Sequence, residues 1–455
     1  MENENKLVSV SQKNIITKIN SSLGITNKLI TENNKKLVTE IFESNPKLFI
    51  GLISEFYPLN LEMLSFEKNL YWYYVSNNNN ITHLLNEQNV TDLDKFKKLD
   101  WKLVSKNENI IWSEDILNVF EYYLDWEYLS ENKSMLINDE ILDNYSHKWN
   151  WNNFRHNKNF PWNLQIIKKY ENKWDWELLL YNKKIPLDIE LIEKHSTKHN
   201  SYKFWRGVSM NEYLSWDDNF FDKYVKKFGF DLLSSNLSIK WNSELIEKYK
   251  DKWNWHHLSS NENLSWSLEL LERFEDKWYW DTLSNNEGIG WTKKIINRFE
   301  DKLKFDYVGG DYGVLMGEGY GYSVFGISSN KNIIWSEELI DNYSERLNWI
   351  KLSRNENLPW SIEFFQKHIN KWDWSELSTN TNLPWSSELI EEYEDKWSYF
   401  SLSRNSKIPW TIKLIHKLAL KLTKSNNIWK TLEPYVDDEM VISLLKKLEN
   451  GELKS

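Results

Sequence analysis

A repeat of 25 residues is the sequence feature that most limits what this chain can fold into. Its marker is a tryptophan, and successive markers are 25 residues apart except for one gap of 29 and one gap of 44. A chain of this kind grows by stacking each repeat on the last, and not by enlarging one core. The marker positions are Trp112, Ile137, Trp162, Leu187, Trp216, Trp241, Trp266, Trp291, Trp335, Trp360, Trp385 and Trp410.

An asparagine five positions before each marker recurs more strictly than the tryptophan itself. All twelve repeats keep it, and in most of them an aromatic residue lies six positions earlier, as Trp126 lies before Asn132. A position that does not vary along the array serves the fold, so we predict that it ends a helix or bonds to the backbone of the connecting loop. The asparagines are Asn107, Asn132, Asn157, Asn182, Asn211, Asn236, Asn261, Asn286, Asn330, Asn355, Asn380 and Asn405.

The segment that follows each marker has the pattern of a helix. In one repeat, Ser386 stands where an N-cap belongs. Leu389, Ile390, Tyr393 and Trp397 then fall on one helical face. We therefore predict that every repeat opens with a short helix whose apolar face is buried.

The second half of each repeat predicts a shorter helix. Trp374, Leu377 and Asn380 are spaced by three residues, which is again a helical interval. Asp373 is placed to cap the start of this helix, and Asn380 to end it in a left-handed backbone conformation.

Two short helices per repeat predict an all-α fold, an elongated solenoid of about thirteen 25-residue, tryptophan-rich repeats. We expect residues 1–58 to form a helical N-terminal cap and residues 426–455 a helical C-terminal cap, since the end repeats must cover faces that no neighbour covers. The array occupies 59–425 and carries an inserted loop rich in glycine and tyrosine at 307–326.

A leucine-rich-repeat-like α/β horseshoe is the alternative fold, because its range of periods includes 25 residues. A strand in such a repeat would require an apolar residue two positions before the recurring leucine. Most repeats carry a polar residue there, such as Glu127, Asp231 or His256. The pattern therefore favours helices.

Composition and charge narrow the classes of function. The chain has no cysteine, which excludes disulfides, thiol nucleophiles and cysteine-bound zinc, and fits a reducing compartment. Residues 1–58 carry a net charge of +1 and residues 411–455 of +2, so the total of −10 leaves −13 on the middle, which disfavours nucleic acid as a partner. The polar N-terminus lacks a signal-peptide pattern, and no run of 18 apolar residues predicts a membrane span. We expect a cytoplasmic protein.

No catalytic motif is apparent. The sequence lacks a nucleophile elbow and a phosphate-binding loop, and acidic residues recur at one position that suits the first turn of a helix, as Glu244 and Glu388 do. His195 and His199 are spaced to face one metal on a helix, but no third ligand is evident. We therefore predict neither an enzyme nor a bound cofactor or metal.

The longer departure from the period is a candidate for partner contacts, because the needs of the repeat do not explain it. Its 19 extra residues (44 minus 25) lie in a segment that holds seven of the chain's fourteen glycines and predicts a projecting hairpin or loop. Tyr312, Leu315, Met316, Tyr320 and Tyr322 offer adaptable apolar surface there.

The shorter departure adds four residues (29 minus 25) near residues 199–206 and predicts a bulge whose contact residues are Tyr202 and Arg206. From the architecture we predict a non-enzymatic scaffold that binds a protein partner. The alternative is a carbohydrate-binding protein that uses surface tryptophans. Its candidates, which we interpret mainly as core residues, are Trp151, Trp176, Trp255, Trp280 and Trp374.

Overall fold

The computed structural model describes residues 26–86, 96–198, 201–305 and 326–454. The structure is 53% helical, and no strand occurs within these ranges. The all-α prediction is confirmed, and the α/β horseshoe is wrong for the residues described. The segments that a horseshoe would use as strands are short helices, because an aspartate or asparagine caps most of them at the N-terminus.

Before residue 111 the structure describes five α-helices and two short 3₁₀ helices. They are α1 (26–44), α2 (Pro46–Phe56), α3 (Leu61–Leu64), a 3₁₀ helix (Glu67–Asn69), α4 (Trp72–Ser76), a 3₁₀ helix (Ile81–Leu84) and α5 (Trp101–Lys106).

In the described residues between 111 and 384 there are eighteen α-helices. They are α6 (Glu114–Phe120), α7 (Trp126–Glu131), α8 (Asp139–Asn144), α9 (Leu164–Lys169), α10 (Trp176–Leu179), α11 (Ile189–Lys198), α12 (Tyr202–Met210), α13 (Asp218–Tyr224), α14 (Phe230–Leu233), α15 (Ser243–Lys248), α16 (Trp255–Ser260), α17 (Leu268–Arg273), α18 (Trp280–Leu283), α19 (Lys293–Arg298), α20 (Glu337–Asn342), α21 (Trp349–Arg354), α22 (Ile362–Lys367) and α23 (Trp374–Leu377). Three 3₁₀ helices lie among them: Asn153–His156, Glu171–Lys173 and Ile327–Ser329.

Five α-helices complete the chain. They are α24 (Ser387–Glu392), α25 (Tyr399–Arg404), α26 (Ile412–Leu418), α27 (Asn426–Leu432), followed by a 3₁₀ helix (Glu433–Tyr435), and α28 (Asp438–Glu449). The chain divides into two compact units: unit 1 is Met1–Ile110 with Trp385–Ser455, and unit 2 is Ile111–Pro384.

Both helices of a repeat are capped as predicted. Ser386 Oγ accepts a hydrogen bond from Leu389 N at 3.1 Å, and Asp373 Oδ1 accepts one from Glu376 N at 2.8 Å. The expected left-handed asparagine is wrong, because no residue other than glycine has a positive φ in the described ranges. Asn132, for example, has φ −70° and ψ 123°. With this extended backbone, Asn132 Oδ1 accepts a hydrogen bond from the N–H of Ser134, two residues later.

In most repeats the recurring asparagine is bonded to the repeat before it. Asn261 is 2% exposed, and its Nδ2 donates to Ser234 O at 3.0 Å and to Asn236 O at 3.2 Å. Its Oδ1 accepts from Asn263 N at 2.9 Å. The prediction of side-chain bonds to loop backbone is confirmed. Equivalent bonds to the preceding repeat are made by Asn107, Asn157, Asn211, Asn236, Asn286, Asn330, Asn355 and Asn380.

A buried serine two positions before the asparagine is a second link that the sequence analysis missed. Ser259 Oγ donates to Trp255 O at 2.7 Å within its own helix and accepts from Tyr279 N of the next repeat at 2.9 Å. Such a hydroxyl satisfies both its donor and one acceptor without water. The serines of this position are 0–1% exposed and are Ser76, Ser105, Ser130, Ser209, Ser234, Ser259, Ser284, Ser328, Ser353, Ser378 and Ser403.

Aromatic pairs fill the space between one repeat and the next. In nine places a ring at the start of the second half of a repeat packs against a ring at or just after the end of the next first helix, with centroids 3.7–5.9 Å apart. The pairs are Trp126 with Tyr145, Trp151 with Tyr170, Trp176 with His195, Trp205 with Tyr224, Phe230 with Tyr249, Trp255 with Phe274, Trp280 with Phe299, Phe305 with Tyr343 and Trp349 with His368.

In unit 1 the two terminal segments of the chain contact each other, which the sequence did not predict. Trp429 of α27 lies 6.3 Å from the ring of Phe56 in a stacked arrangement. Around this contact, Lys447 Nζ lies 2.6 Å from Glu43 Oε1 and Asn45 Nδ2 donates to Ala419 O at 2.8 Å. The helices that we predicted as separate caps therefore cover each other's apolar faces.

Replacing one buried asparagine should destabilise the fold. Asn261→Ala leaves two carbonyls and one N–H without their partners, at a cost of about 3 kcal/mol or more in the free energy of unfolding. Urea denaturation followed by far-UV circular dichroism measures this. Asn263→Ala is the matched control, because that exposed side chain makes one bond, to Leu237 O. An equal loss for both variants would contradict the structural role of Asn261.

Replacing His368 by tyrosine should stabilise the protein more at low pH than at neutral pH. His368 is 8% exposed, burial lowers its pKa, and the charge of Asp341 only partly opposes this. The unfolded chain therefore takes up a proton at this position more readily than the folded one, so wild-type stability falls as the pH drops through the usual histidine pKa.

The hydroxyl of a tyrosine at position 368 can also donate a hydrogen bond to a carboxylate, as the Tyr170 hydroxyl donates to Asp143 at 2.8 Å. We expect His368→Tyr to raise the free energy of unfolding at pH ~7.5 and to raise it further at pH ~5.5, on either side of the usual histidine pKa. The measurement is urea denaturation of both proteins at the two pH values. Equal differences at both would refute the pKa argument.

Candidate functional site

A groove along the second helices of unit 2 is the candidate site. Consecutive second helices pack side by side there, α10 on α12, α12 on α14 and α16 on α18. Between their exposed edges lies a cavity of about 460 Å³, which we call the groove. Its lining residues come from five successive repeats and are Lys183, Met210, Leu232, Ser235, His256, His257, Ser260, Glu262, Thr282, Asn285 and Asn286.

The predicted bulge lies next to helix α12, whose last residue lines the groove. The helices on either side of it are longer than in other repeats, with ten residues in α11 and nine in α12. Tyr202 and Arg206, the two predicted contact residues, lie one turn apart on α12, with Arg206 Nη1 3.1 Å from the Tyr202 hydroxyl. Met210, one further turn along, lines the groove. Neither Tyr202 nor Arg206 is among the residues that line the groove, and Met210, which does line it, was missed.

Glycine at position 207 allows α12 to approach the preceding repeat closely. A Cβ atom at Gly207 would lie 2.4 Å from Leu180 Cβ, a distance that real side chains do not tolerate. On the far side, Arg206 Nη1 lies 3.7 Å from Asp231 Oδ2 of the next repeat. The bulged helix is therefore fixed on both sides, and the surface beside the groove is well defined.

Two adjacent histidines stand in the middle of the groove. His257 Nδ1 lies 2.6 Å from Asp231 O, so Nδ1 donates to this carbonyl, and Nε2 is an acceptor when the ring is uncharged. The His256 ring meets that of Tyr279 edge to face, with centroids 5.3 Å apart. Burial lowers the pKa of His256, and the neighbouring His257 lowers it further. The His256 ring can therefore accept or donate hydrogen bonds without carrying charge at neutral pH.

Hydroxyl groups complete the polar lining. Ser235 Oγ and Ser260 Oγ each donate to a carbonyl of their own helix at 2.9 Å, which leaves their acceptor lone pairs for another molecule. Thr282 Oγ1 is buried and finds no hydrogen-bond partner among the residues described. Met210 and Leu232 add half-buried apolar surface. The groove can therefore hold a chain that presents both apolar groups and hydrogen-bond donors.

The serine hydroxyl next to the two histidines is bonded to the backbone. Ser260 donates to the carbonyl of His257 and not to a ring nitrogen, so it is not activated as a nucleophile. In the described part of the chain, no group of three metal-ligating side chains is close enough to hold an ion.

His195 belongs to the core and not to a metal site. It is 6% exposed, its ring is stacked on Trp176 at 3.7 Å, and its Nε2 lies 2.8 Å from Glu171 Oε1. It occupies the position that tyrosine holds in other repeats. Its predicted companion, His199, lies outside the described residues.

The residues predicted for the long insertion also lie outside the described residues, which omit 306–325. Tyr312, Leu315, Met316, Tyr320 and Tyr322 therefore stay predicted contact residues.

No tryptophan offers an exposed platform for a sugar. All 27 tryptophans fall within the described ranges, and none of them is among the exposed large apolar residues. Trp151 and Trp176 are buried, at 8% and 4% exposure. Trp255, Trp280 and Trp374 are half-buried. Trp255 Nε1 and Trp280 Nε1 also donate to backbone carbonyls, at 2.9 and 3.1 Å. The interpretation of these side chains as core is supported, and nothing favours the carbohydrate alternative.

Comparison with known proteins adds no further constraint, since no family model, curated protein or solved structure matches this chain. Within the described ranges, no helix has the length and apolar character needed to cross a lipid bilayer.

Tryptophan fluorescence should report this burial directly. Because no indole is exposed, we expect blue-shifted emission and weak quenching by iodide in the native protein. Both properties should change to those of free tryptophan in urea. Efficient quenching of the native protein, or a shift on adding oligosaccharides, would contradict the assignment of the tryptophans to the core.

Proposed function

We propose that this protein is a non-enzymatic scaffold, a solenoid of two-helix repeats that binds a segment of another protein in the groove of unit 2. The observation that carries the proposal is that one set of positions in the repeat maintains the fold and a different set lines the groove. The recurring asparagine, serine and aromatic residues are buried and bonded to each other. The groove is lined mostly by positions whose residue type changes from repeat to repeat. Such variation leaves the fold intact and sets what binds.

The dimensions of the groove favour an extended polypeptide. It crosses five successive repeats, from Lys183 to Asn286. Packed helices are ~9 Å apart, so four steps span ~36 Å. An extended chain advances ~3.3 Å per residue, so a segment of about eleven residues would fill this length.

The chemistry of the lining favours a peptide over a small polar ligand. An extended chain presents backbone N–H groups along its length, and the groove offers acceptors in His257 Nε2 and in the serine hydroxyls. Met210 and Leu232 provide apolar contacts for side chains between those bonds. The negative charge of the central sequence speaks against nucleic acid, and the absence of cysteine favours the cytoplasm as the place of action.

The bulge and the long insertion extend the proposed contact area. Tyr202 is 65% exposed beside the groove and lies 5.3 Å from the Arg206 guanidinium, so both can join the rim of an interface. The insertion residues named from the sequence, Tyr312 among them, are proposed as a second contact.

Filling the groove should abolish partner binding. Ser260 is exposed in the groove, so Ser260→Phe places a ring there without disturbing the core. Ser243→Phe, on the first-helix side of the same unit, is the matched control. The intact proteins are used to capture partners from an extract of the native host, with a further variant that lacks residues 309–324.

A partner captured by wild type and by Ser243→Phe, and lost at least about tenfold on Ser260→Phe, would support the proposal. A partner that Ser260→Phe retains would place binding elsewhere, at the insertion if deletion of 309–324 removes it. Capture of glycans without any protein would overturn the proposed function.

A further inference from the structure

The sign of the charge at one repeat position changes along the loops beside the groove. The residue directly after the recurring asparagine is lysine in three successive repeats, and glutamate in three of the next four. In chain order the position holds Lys133, Lys158, Lys183, Glu212, Leu237, Glu262 and Glu287. The groove lies across the point where the sign changes, because both Lys183 and Glu262 line it.

Hydrogen bonds fix these loops at regular steps, so the charges hold their order. Glu212 N donates to Lys183 O at 2.7 Å, and Asn263 Nδ2 donates to Leu237 O at 2.8 Å. At Gly288 a Cβ atom would lie 2.1 Å from Glu262 O, so the loop of the next repeat approaches Glu262 as closely as a backbone can. The loops that carry Lys183 and Glu262 are therefore held in fixed positions.

The charged groups of Lys183, Lys184 and Glu262 form no ion pairs that stabilise the described fold. Lysines of the first helices pair with carboxylates of the preceding repeat, as Lys248 does with Asp222 at 2.8 Å. By contrast, Lys183, its neighbour Lys184 and Glu262 are exposed, and none of them has an ion-pair partner among the described residues. They are free to meet charges on another molecule.

Resting on the proposed function, we infer that the groove selects an extended segment of a partner protein that carries acidic residues in one half and basic residues in the other. Acidic side chains of the segment lie on Lys183 and Lys184, and basic side chains on Glu262. Apolar side chains between them contact Met210 and Leu232. At physiological ionic strength charges act over ~8 Å, which is short compared with the groove, so each end recognises its own charge separately.

This arrangement discriminates against segments of uniform charge. A wholly acidic segment would meet Glu262, and a wholly basic one would meet Lys183 and Lys184. A segment with the same residues in alternating order would place both signs of charge beside Lys183 and beside Glu262, so attraction and repulsion would oppose each other at each position. Specificity thus comes as much from repulsion at the wrong end as from attraction at the right one.

Selection from a random peptide library tests the inference. A phage-displayed library of random peptides of about twelve residues, a length that fills the groove, is panned against the full chain, and each enriched sequence is synthesised with a fluorescent label. Binding is measured by fluorescence anisotropy for wild type and for Lys183→Glu/Lys184→Glu. The matched control is Lys277→Glu/Lys294→Glu, which changes the net charge equally at exposed positions of unit 2 outside the groove.

We expect enriched peptides with acidic residues in one half and basic residues in the other. The groove variant should weaken their binding about tenfold, and the control variant should leave it unchanged. Scrambling each peptide so that its charges alternate should also weaken binding to wild type.

Two other results have distinct meanings. Enriched peptides that lose binding to Ser260→Phe but show no charge separation would overturn this inference and leave the proposed function standing. If no peptide is enriched, or if all enriched peptides still bind Ser260→Phe, the proposed function fails together with the inference.

Discussion

The buried amide of the recurring asparagine is the interaction on which the rest of this structure depends. Helices of four to seven residues, the usual length in the repeats, are too short to be stable alone, and most of their end groups lack intrahelical partners. The asparagine satisfies several of these groups at once, since Asn261 bonds two carbonyls of the preceding repeat and one N–H of its own loop. The serine two positions earlier then receives an N–H from the following repeat. Most repeats are thereby joined to both neighbours through buried polar atoms.

This network explains where the chain tolerates extra residues. The 19-residue insertion (44 minus 25) separates Asn286 from Asn330, yet Asn330 Nδ2 still donates to Asn286 O at 3.1 Å. The four-residue bulge likewise leaves Asn211 bonded to the preceding repeat, at Ile185 O. Both insertions fall between one asparagine and the next, so the links between repeats persist. The exposed ion pairs between first helices, such as Lys248 with Asp222, add little by comparison because solvent screens them.

The sequence predicts the features that recur in every repeat. It misses the features that occur at one place in the chain. Ser386 and Asp373 cap their helices as predicted, because capping depends only on neighbouring residues. The left-handed asparagine was wrong, since its backbone conformation is decided by hydrogen bonds to another repeat. The serine could have been found, because it recurs as visibly as the asparagine. The groove could not, because periodicity marks positions that stay the same and the groove consists mostly of positions that change.

The contact between the terminal segments in unit 1 likewise cannot be predicted from the repeat pattern. Because of it, each terminal segment is covered by the other. An open array requires end repeats with a polar outer face. Here Lys424 is inserted under Tyr74, with Nζ 3.7 Å from the ring centroid, and it pairs with Glu55. Burial lowers the pKa of Lys424, so its charge is held in place by its carboxylate partner and by the aromatic face. A cation buried in this way stabilises the contact only while both segments are present. The two ends of the chain are therefore not independent caps, and the stability of each depends on the other.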